Sequence, residues 1–185
     1  MTHIPGIGHN SRQDFDGYAS RLVRWRQARA DLVGKAMPVE VVRMRVNRAN
    51  ALGLSYKTYA GVRAASGRDI VALLFSSNAL GMIRRAEIEA ARADKLAGVA
   101  AVRGVLVHPP LAATAPAPLD WAEDAPRFDE SWSAMRDRLR AALLHHALPA
   151  DGVLMVGETS FEASWCAAAR AAGFVRGEAY FGSAG

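Results

Sequence analysis

The stretch Asp69-Ile70-Val71-Ala72-Leu73-Leu74-Phe75-Ser76-Ser77-Asn78 indicates how the larger part of this chain folds. Its continuous apolar run is typical of a short strand buried on both faces. The Ser-Ser-Asn that follows is typical of a loop leading into a capped helix. Similar apolar runs occur at 102–107 and 153–156, and helical patterns separate the runs. Strands that alternate with helices predict a mainly parallel sheet covered on both faces.

An α/β domain of this kind is predicted for residues 68–185, with three or four strands and flanking helices. The predicted helices run from the cap at Asn78 to about Ala97, over about 129–147, and from the end of the turn Gly157–Ser160 to about Ala172. Residues 177–181 are a candidate edge strand. The segment 108–126 is rich in proline and alanine, which predicts an irregular connection, either a lid or a surface excursion.

Positive charge is concentrated in the first 68 residues. This part holds 12 of the 23 Lys and Arg residues with only 4 Asp and Glu, whereas the remainder holds 11 and 14. Arginine supplies most of this charge, because Lys35, Lys57 and Lys95 are the only lysines. Such an asymmetry predicts a basic surface that meets a polyanion, although a GC-rich genome would also favour arginine and alanine.

The first 67 residues divide into a tail and a helical module. Residues 1–12 contain glycine, proline and small polar groups without periodicity, which predicts a flexible tail. Within it, Ile4–Ser11 resembles a short leader of phage-related and other small proteins of GC-rich bacteria, and such a tail could dock on a protein partner. An amphipathic, arginine-rich helix is predicted from Asp14, so that residues 13–67 form a basic helical module.

Residues 39–65 are predicted to form two helices joined by a tight corner. Gly53 can adopt the positive φ that a sharp turn needs, and Ser55 suits the cap of the next helix. Small or apolar residues occupy the positions where the helices would pack: Ala49, Leu52, Leu54, Tyr59 and Val62. This pattern resembles the helix-turn-helix proteins that bind DNA. The departure is Arg48, where that family carries an apolar residue.

The resemblance implies a DNA-binding surface and, since many such proteins read paired half-sites, a homodimer. The exposed start of the second helix would contact base edges through Ser55, Tyr56, Lys57 and Thr58. Arginines near the corner would contact phosphates: Arg43, Arg45, Arg48 and Arg63. The same pattern also fits a helical hairpin that never touches DNA.

Polar side chains follow each of the predicted strands. Parallel strands end at one edge of a sheet, and open α/β folds bind ligands there. The candidate site residues at this edge are Ser76, Asn78, His108 and Glu158. Together they could bind a phosphate at a helix N-terminus or carry out acid–base chemistry. The alternative for the hydroxyl groups is ordinary helix capping.

Familiar catalytic signatures are missing from the sequence. It has no glycine-rich dinucleotide or phosphate loop, no G-x-S-x-G and no H-E-x-x-H. His145 and His146 are adjacent on a predicted helix, so we expect their side chains to diverge and predict no metal site. The run 153–181 resembles the closing strand, helix and strand of N-acetyltransferases but lacks that family's pyrophosphate-binding loop. No cofactor is predicted.

The cysteine content, together with the lack of signal-peptide and membrane-span patterns, predicts a cytoplasmic protein. Cys166 is the only cysteine, so no intrachain disulfide can form, and its expected role is that of a small buried side chain. The sequence shows neither a signal peptide nor a run of about 20 apolar residues, so we expect no membrane association.

Three functions follow as hypotheses. The first is a non-enzymatic DNA-binding protein, regulatory or phage-related, whose α/β domain binds a ligand, a partner or a second copy. The second is a small enzyme that acts on a nucleotide, a nucleic acid or an acyl donor, which requires Ser76, Asn78, His108 and Glu158 to converge on one cleft. The third is an adaptor whose tail and basic helix dock on an acidic protein.

Overall fold

The computed structural model describes residues 37–182 of the chain. The predicted tail at 1–12 and the basic helix predicted from Asp14 lie outside these residues. Within them, no helix combines the length and the apolar character needed to cross a bilayer.

The chain divides into two units between Val42 and Arg43. Only residues 37–42 of the first unit are described, and a helix begins there at Val39. All the strands, and the helices that follow that first one, belong to the second unit.

The described residues begin with two helices, after which strands are followed by helices except where the third strand follows the second directly. The helices are α1 (Val39–Ala51), α2 (Tyr56–Ser66), α3 (Ala90–Ala97), α4 (Trp132–His145), α5 (Ser160–Ala169) and α6 (Gly177–Phe181). The strands are β1 (Ala72–Ser76), β2 (Val102–Val107), β3 (Trp121–Asp124), β4 (Val153–Gly157) and β5 (Gly173–Arg176). A single 3-10 turn at Ala150–Gly152 leads into β4.

The strands form one parallel sheet in the order β3-β2-β1-β4-β5. This arrangement confirms the predicted α/β class, with five strands instead of three or four. The additional strand is β3, inside the proline-rich connection, where Trp121 pairs with Gly104. A Cβ on Gly104 would lie 2.2 Å from the Trp121 ring, so the glycine makes room for the indole. The strand reads Trp-Ala-Glu-Asp, which is neither a continuous apolar run nor an alternation of apolar and polar residues, so the sequence does not mark it as a strand.

Alternate residues of each central strand divide the core into two clusters, one on each face of the sheet. In β1, Leu73 and Phe75 point to the face covered by residues of α1, α2, α3 and α6. Ala72 and Leu74 point to the opposite face, which α4 and α5 cover. Burial on both faces confirms the interpretation of the continuous apolar runs.

The helix predicted from Asn78 to Ala97 is wrong over most of its length, because the chain turns repeatedly before a helix begins at Ala90. Gly81 has a φ of +73°, a left-handed conformation that interrupts a helix. The N–H of Met82 donates to the carbonyl of Ser77 at 2.9 Å and closes the turn. Leu80 is buried but Ile83, which has the helix-like spacing from it, is 74% exposed, so the two side chains do not share one apolar face.

The edge strand lies at Gly173–Arg176, and the predicted strand at 177–181 is instead α6. Tyr180 and Phe181 both contact Phe75, with ring centroids 5.6 and 6.0 Å away. Neighbouring residues of a strand point to opposite faces, so these two rings could not share a partner in a strand. The short helix lets both of them pack on β1.

The corner between α1 and α2 has the predicted geometry. Gly53 has a φ of +67°, and the Ser55 hydroxyl caps α2 by accepting the N–H of Thr58 at 3.1 Å. The predicted packing residues Ala49, Leu52, Leu54 and Tyr59 are buried, and Val62 is half-buried. All five pack in or against the same core cluster as the sheet residues, so the apolar side of this corner is anchored on the α/β domain.

Candidate functional site

A polar cluster built around Glu162 occupies the carboxyl edge of the sheet. Glu162 lies in the first turn of α5 and is only 1% exposed. Its Oε2 accepts the backbone N–H groups of Glu158 at 2.6 Å and Thr159 at 2.9 Å. In return, the Thr159 hydroxyl accepts the N–H of Glu162 at 3.1 Å. This reciprocal cap fixes the carboxylate beside the end of β4.

The other carboxylate oxygen meets residues from two more segments. Asn78, which follows β1, donates from Nδ2 to Glu162 Oε1 at 2.9 Å. His108, which follows β2, holds its Nε2 3.4 Å from the same oxygen. Three segments far apart in sequence therefore converge on one buried carboxylate.

Ser77 sets the orientation of the His108 ring. Its Oγ lies 2.9 Å from His108 Nδ1 and also accepts the backbone N–H of His108 at 3.2 Å. Because an ionised carboxylate only accepts, Glu162 favours the tautomer with the proton on Nε2, and Nδ1 then accepts from Ser77. Hydroxyl, imidazole and carboxylate stand in the order seen in nucleophilic triads. Ser77 is fully buried, however, so its role is to position the ring.

The surroundings keep His108 neutral at pH 7. Burial lowers the pKa of the imidazole below 6.5, although the charge of Glu162 acts in the opposite direction. The Trp165 indole packs beside the imidazole, with ring centroids 5.3 Å apart. Among the described residues, no Lys or Arg forms an ion pair with Glu162, so backbone N–H groups, an amide and the imidazole are its partners.

An open hollow of about 650 Å³ lies over this cluster. Its polar lining residues are Asn78, His108, Thr159, Arg127 and Asp129, and its apolar ones are Pro109, Pro126, Phe128 and Phe161. Phe128 is 86% exposed and its ring lies 5.5 Å from that of Phe161. The Nε2–H of His108 and the amide of Asn78 can meet a ligand on the floor, while the two phenyl rings offer flat apolar surface.

The predicted strand-end residues fall into two groups. Asn78 and His108 belong to the cluster. Ser76 does not, because its hydroxyl caps the following turn by accepting the N–H of Ala79 at 3.1 Å. The carboxylate of Glu158 lies against Gly177, so only its backbone N–H takes part.

Glu162, the acid at the centre of the cluster, is the residue that sequence reasoning missed. A signal for it exists in the sequence. Thr159-Ser160-Phe161-Glu162 matches the capping-box pattern, which predicts a glutamate folded back on the start of its helix.

A second polar cluster lies at the amino edge of the sheet, around Asp69. Its carboxylate accepts from Arg48 Nε at 3.0 Å and from the Tyr59 hydroxyl at 2.7 Å, with Arg63 Nη1 3.4 Å away. The other two nitrogens of Arg48 donate to the carbonyls of Ala100 at 2.9 Å and Ile70 at 2.7 Å. Arg48 thus ties α1 to the chain entering β1 and β2, which explains a charged residue at a position predicted to be apolar.

The residues predicted to contact DNA differ in their freedom to do so. Ser55, Tyr56, Lys57 and Arg43 are exposed, and Thr58 and Arg45 are half-buried. Arg48 and Arg63 are engaged with Asp69.

The expectation that His145 and His146 diverge is wrong. Both rings approach Glu123 Oε1, with His145 Nδ1 at 2.9 Å and His146 Nε2 at 3.2 Å. The reason is that α4 ends at His145, and the backbone of His146 has already left the helix, with φ −94° and ψ 12°. The 100° separation of neighbours on a regular helix therefore does not apply.

Cys166, predicted to be buried, is half-buried, and burial raises the pKa of its thiol. Comparison of the whole chain with family models, curated proteins and solved structures found no match.

Proposed function

We propose that this protein is a small enzyme that binds a nucleotide at the carboxyl edge of its sheet and uses His108 to polarise it. The observation that carries the proposal is the convergence of Asn78 and His108 on the buried Glu162, directly under the hollow of about 650 Å³. The chain leaves β1 in one direction and β4 in the other. Parallel sheets favour ligand binding at such a point.

The lining of the hollow supports a nucleotide as the ligand class. A planar base can stack on the exposed rings of Phe128 and Phe161. Asn78 and Thr159 offer hydrogen bonds to polar edges. Arg127, at the rim and paired with Asp129 at 3.0 Å, offers a guanidinium to a phosphate. The acyl group of an acyl donor would use the apolar wall, and Arg127 would contact only the phosphates of its carrier.

His108 is the residue that would act on the ligand. Its Nε2 stands 3.4 Å from Glu162 Oε1, longer than a good N–H···O bond, so a ligand oxygen near the ring plane can share this N–H with the carboxylate. A donor aimed at developing negative charge in a partly buried site is an effective catalytic element. Glu162 holds the proton on Nε2, and Ser77 fixes the ring.

Titration of the protein with each of the four nucleoside monophosphates tests this proposal, read by the His108 Hε1 NMR signal and by calorimetry. We expect at least one of them to shift that signal. His108→Asn should weaken its binding roughly tenfold or more, because a hydrogen bond to a charged group contributes about 1.5–3 kcal/mol. Arg140→Gln, an exposed change on α4, serves as the control. Acetyl-coenzyme A is run in parallel, and a response to it alone would favour the acyl-donor alternative.

We also propose, as a second candidate, that the corner between α1 and α2 contacts DNA. The positive φ of Gly53 and the exposed, Ser55-capped start of α2 support it. Since Arg48 and Arg63 are bound to Asp69, the cations for this contact are Arg43, Arg45 and Lys57.

Fluorescence anisotropy with duplex DNA at low salt tests the second candidate. Lys57→Gln should weaken binding and lower the salt slope by about one, as expected for one lost phosphate contact. Arg140→Gln should leave both unchanged. Absence of binding at low salt, or equal effects of the two changes, would rule it out.

A further inference from the structure

The side chains of Glu123, His145 and His146 form a compact group outside the site described above. Glu123 lies on the edge strand β3, and the two histidines lie at the end of α4. One potential ligand atom from each residue lies within 4.8 Å of the other two. The hollow beside the group, of about 560 Å³, is also lined by the carboxylates of Asp124 and Asp137.

We propose that Glu123, His145 and His146 bind a divalent transition metal ion of the zinc class. The distances from Glu123 Oε1 to His145 Nδ1, 2.9 Å, and to His146 Nε2, 3.2 Å, carry the proposal. Ligands about 2.0–2.1 Å from a tetrahedral zinc ion are separated from one another by roughly 3.3 Å. The group therefore presents two edges of such a tetrahedron before any metal is added.

The donor types select the class of metal. Imidazole nitrogens with a carboxylate oxygen suit Zn²⁺ and its neighbours, whereas Mg²⁺ and Ca²⁺ prefer oxygen ligands alone. Three protein ligands leave a fourth position for water or another ligand, which the open hollow can admit.

Packing holds part of the group in place. The His146 ring stacks on the buried Trp121 indole, with ring centroids 4.0 Å apart and an angle of 14° between the planes. One histidine is enough to form an ion pair with a carboxylate, whereas here two histidines approach the same oxygen, Glu123 Oε1.

Calorimetric titration with Zn²⁺, together with the visible spectrum after addition of Co²⁺, tests the site on the full chain. We expect one Zn²⁺ to bind, a tetrahedral Co²⁺ spectrum, and no binding of Mg²⁺ at the same concentration. Glu123→Gln and His145→Ala should each weaken Zn²⁺ binding at least about tenfold, since loss of even an outer-shell partner costs 10–100-fold. Circular dichroism checks that both variants are folded.

The sequence offers a matched control, because its other histidines outside the two sites are His3 and His9. The double variant His3→Ala/His9→Ala should bind Zn²⁺ as the wild type does. Loss of binding in that variant, unchanged binding in Glu123→Gln and His145→Ala, or no binding by the wild type would each overturn the proposal.

Discussion

The two edges of the sheet each carry a carboxylate at the centre of a polar cluster, but different kinds of groups surround the two negative charges. Asp69 at the amino edge is 37% exposed in its side chain and lies between two arginines. Glu162 at the carboxyl edge is 1% exposed, and its partners are backbone N–H groups, Asn78 and His108.

We assign different roles to the two clusters: the one around Asp69 stabilises the fold, and the one around Glu162 contacts a ligand. Each of the three guanidinium nitrogens of Arg48 donates a hydrogen bond, one to Asp69 and two to backbone carbonyls. The amino-edge cluster is therefore satisfied by contacts within the protein. At the carboxyl edge, the Nε2–H of His108 is only loosely engaged and faces a hollow. A titratable group in a cleft whose pKa is shifted by burial, such as His108, is a candidate for a functional site.

The largest expected effect on stability comes from removing the Glu162 carboxylate. Glu162→Ala leaves two backbone N–H groups and the Asn78 amide without their acceptor in a buried place, which should lower the free energy of unfolding by about 3 kcal/mol. Urea denaturation measures it. Glu158→Ala is the matched control, because that carboxylate takes no part in the cluster. Equal losses in the two variants would show that Glu162 is not the centre of this edge.

Removing Arg48 should have the next largest effect. Arg48→Met keeps much of the side-chain length but loses three hydrogen bonds, and since the side chain is 29% exposed we expect a loss of about 2 kcal/mol. The same denaturation experiment should show no measurable change for Arg140→Met, an exposed arginine on α4. A stability equal to the wild type would mean that Arg48 is free for another partner, as the resemblance to helix-turn-helix proteins implies.

The acid sensitivity of the fold should depend on Asp69. Burial alone would raise the pKa of its carboxyl, but the hydrogen bond from Tyr59 and the charge of Arg48 outweigh it and lower the pKa below 3.8. A lowered pKa stabilises the folded state above 3.8, and that contribution disappears as the pH falls through the folded-state value. Thermal melts between about pH 5 and pH 2 should therefore fall more steeply for the wild type than for Asp69→Asn. Parallel curves would contradict the assignment.

The smallest expected effect is on the titration of His108. Its pKa should lie below 6.5 because of burial, and Glu162→Gln should lower it further by removing the opposing charge. Since the folded state favours the neutral ring, its contribution to stability is present above pH 6.5 and is lost below it. NMR titration of the Hε1 signal measures both values. An unchanged or higher pKa in Glu162→Gln would show that the carboxylate does not act on the ring.

Much of the fold could be predicted from local sequence patterns. The apolar runs of β1, β2 and β4 predict a buried parallel sheet, and Gly53 with Ser55 predicts the corner before α2. The turn closed by Met82 and the short strand β3 are not predictable in this way. The first imitates helical spacing, and the second owes its pairing to the space that Gly104 leaves for Trp121.

Part of the site could be predicted from the sequence, and part of it could not. Asn78 and His108 follow strands, so topology alone places them at the carboxyl edge. Glu162 lies in the first turn of a helix, where a capping role and a functional role give the same sequence pattern. The approach of His145 and His146 depends on the residue at which α4 ends, and sequence patterns fix helix ends only to within a few residues.

Calorimetric titration of Glu162→Gln and Asp69→Asn, with the nucleoside monophosphate that the wild type binds best, tests most directly whether the carboxyl edge is the functional one. We predict that Glu162→Gln weakens binding roughly tenfold or more, because the Nε2 proton of His108 is no longer held in place. Asp69→Asn should be less stable yet bind with the wild-type Kd. Weakened binding in Asp69→Asn together with wild-type affinity in Glu162→Gln would contradict the account.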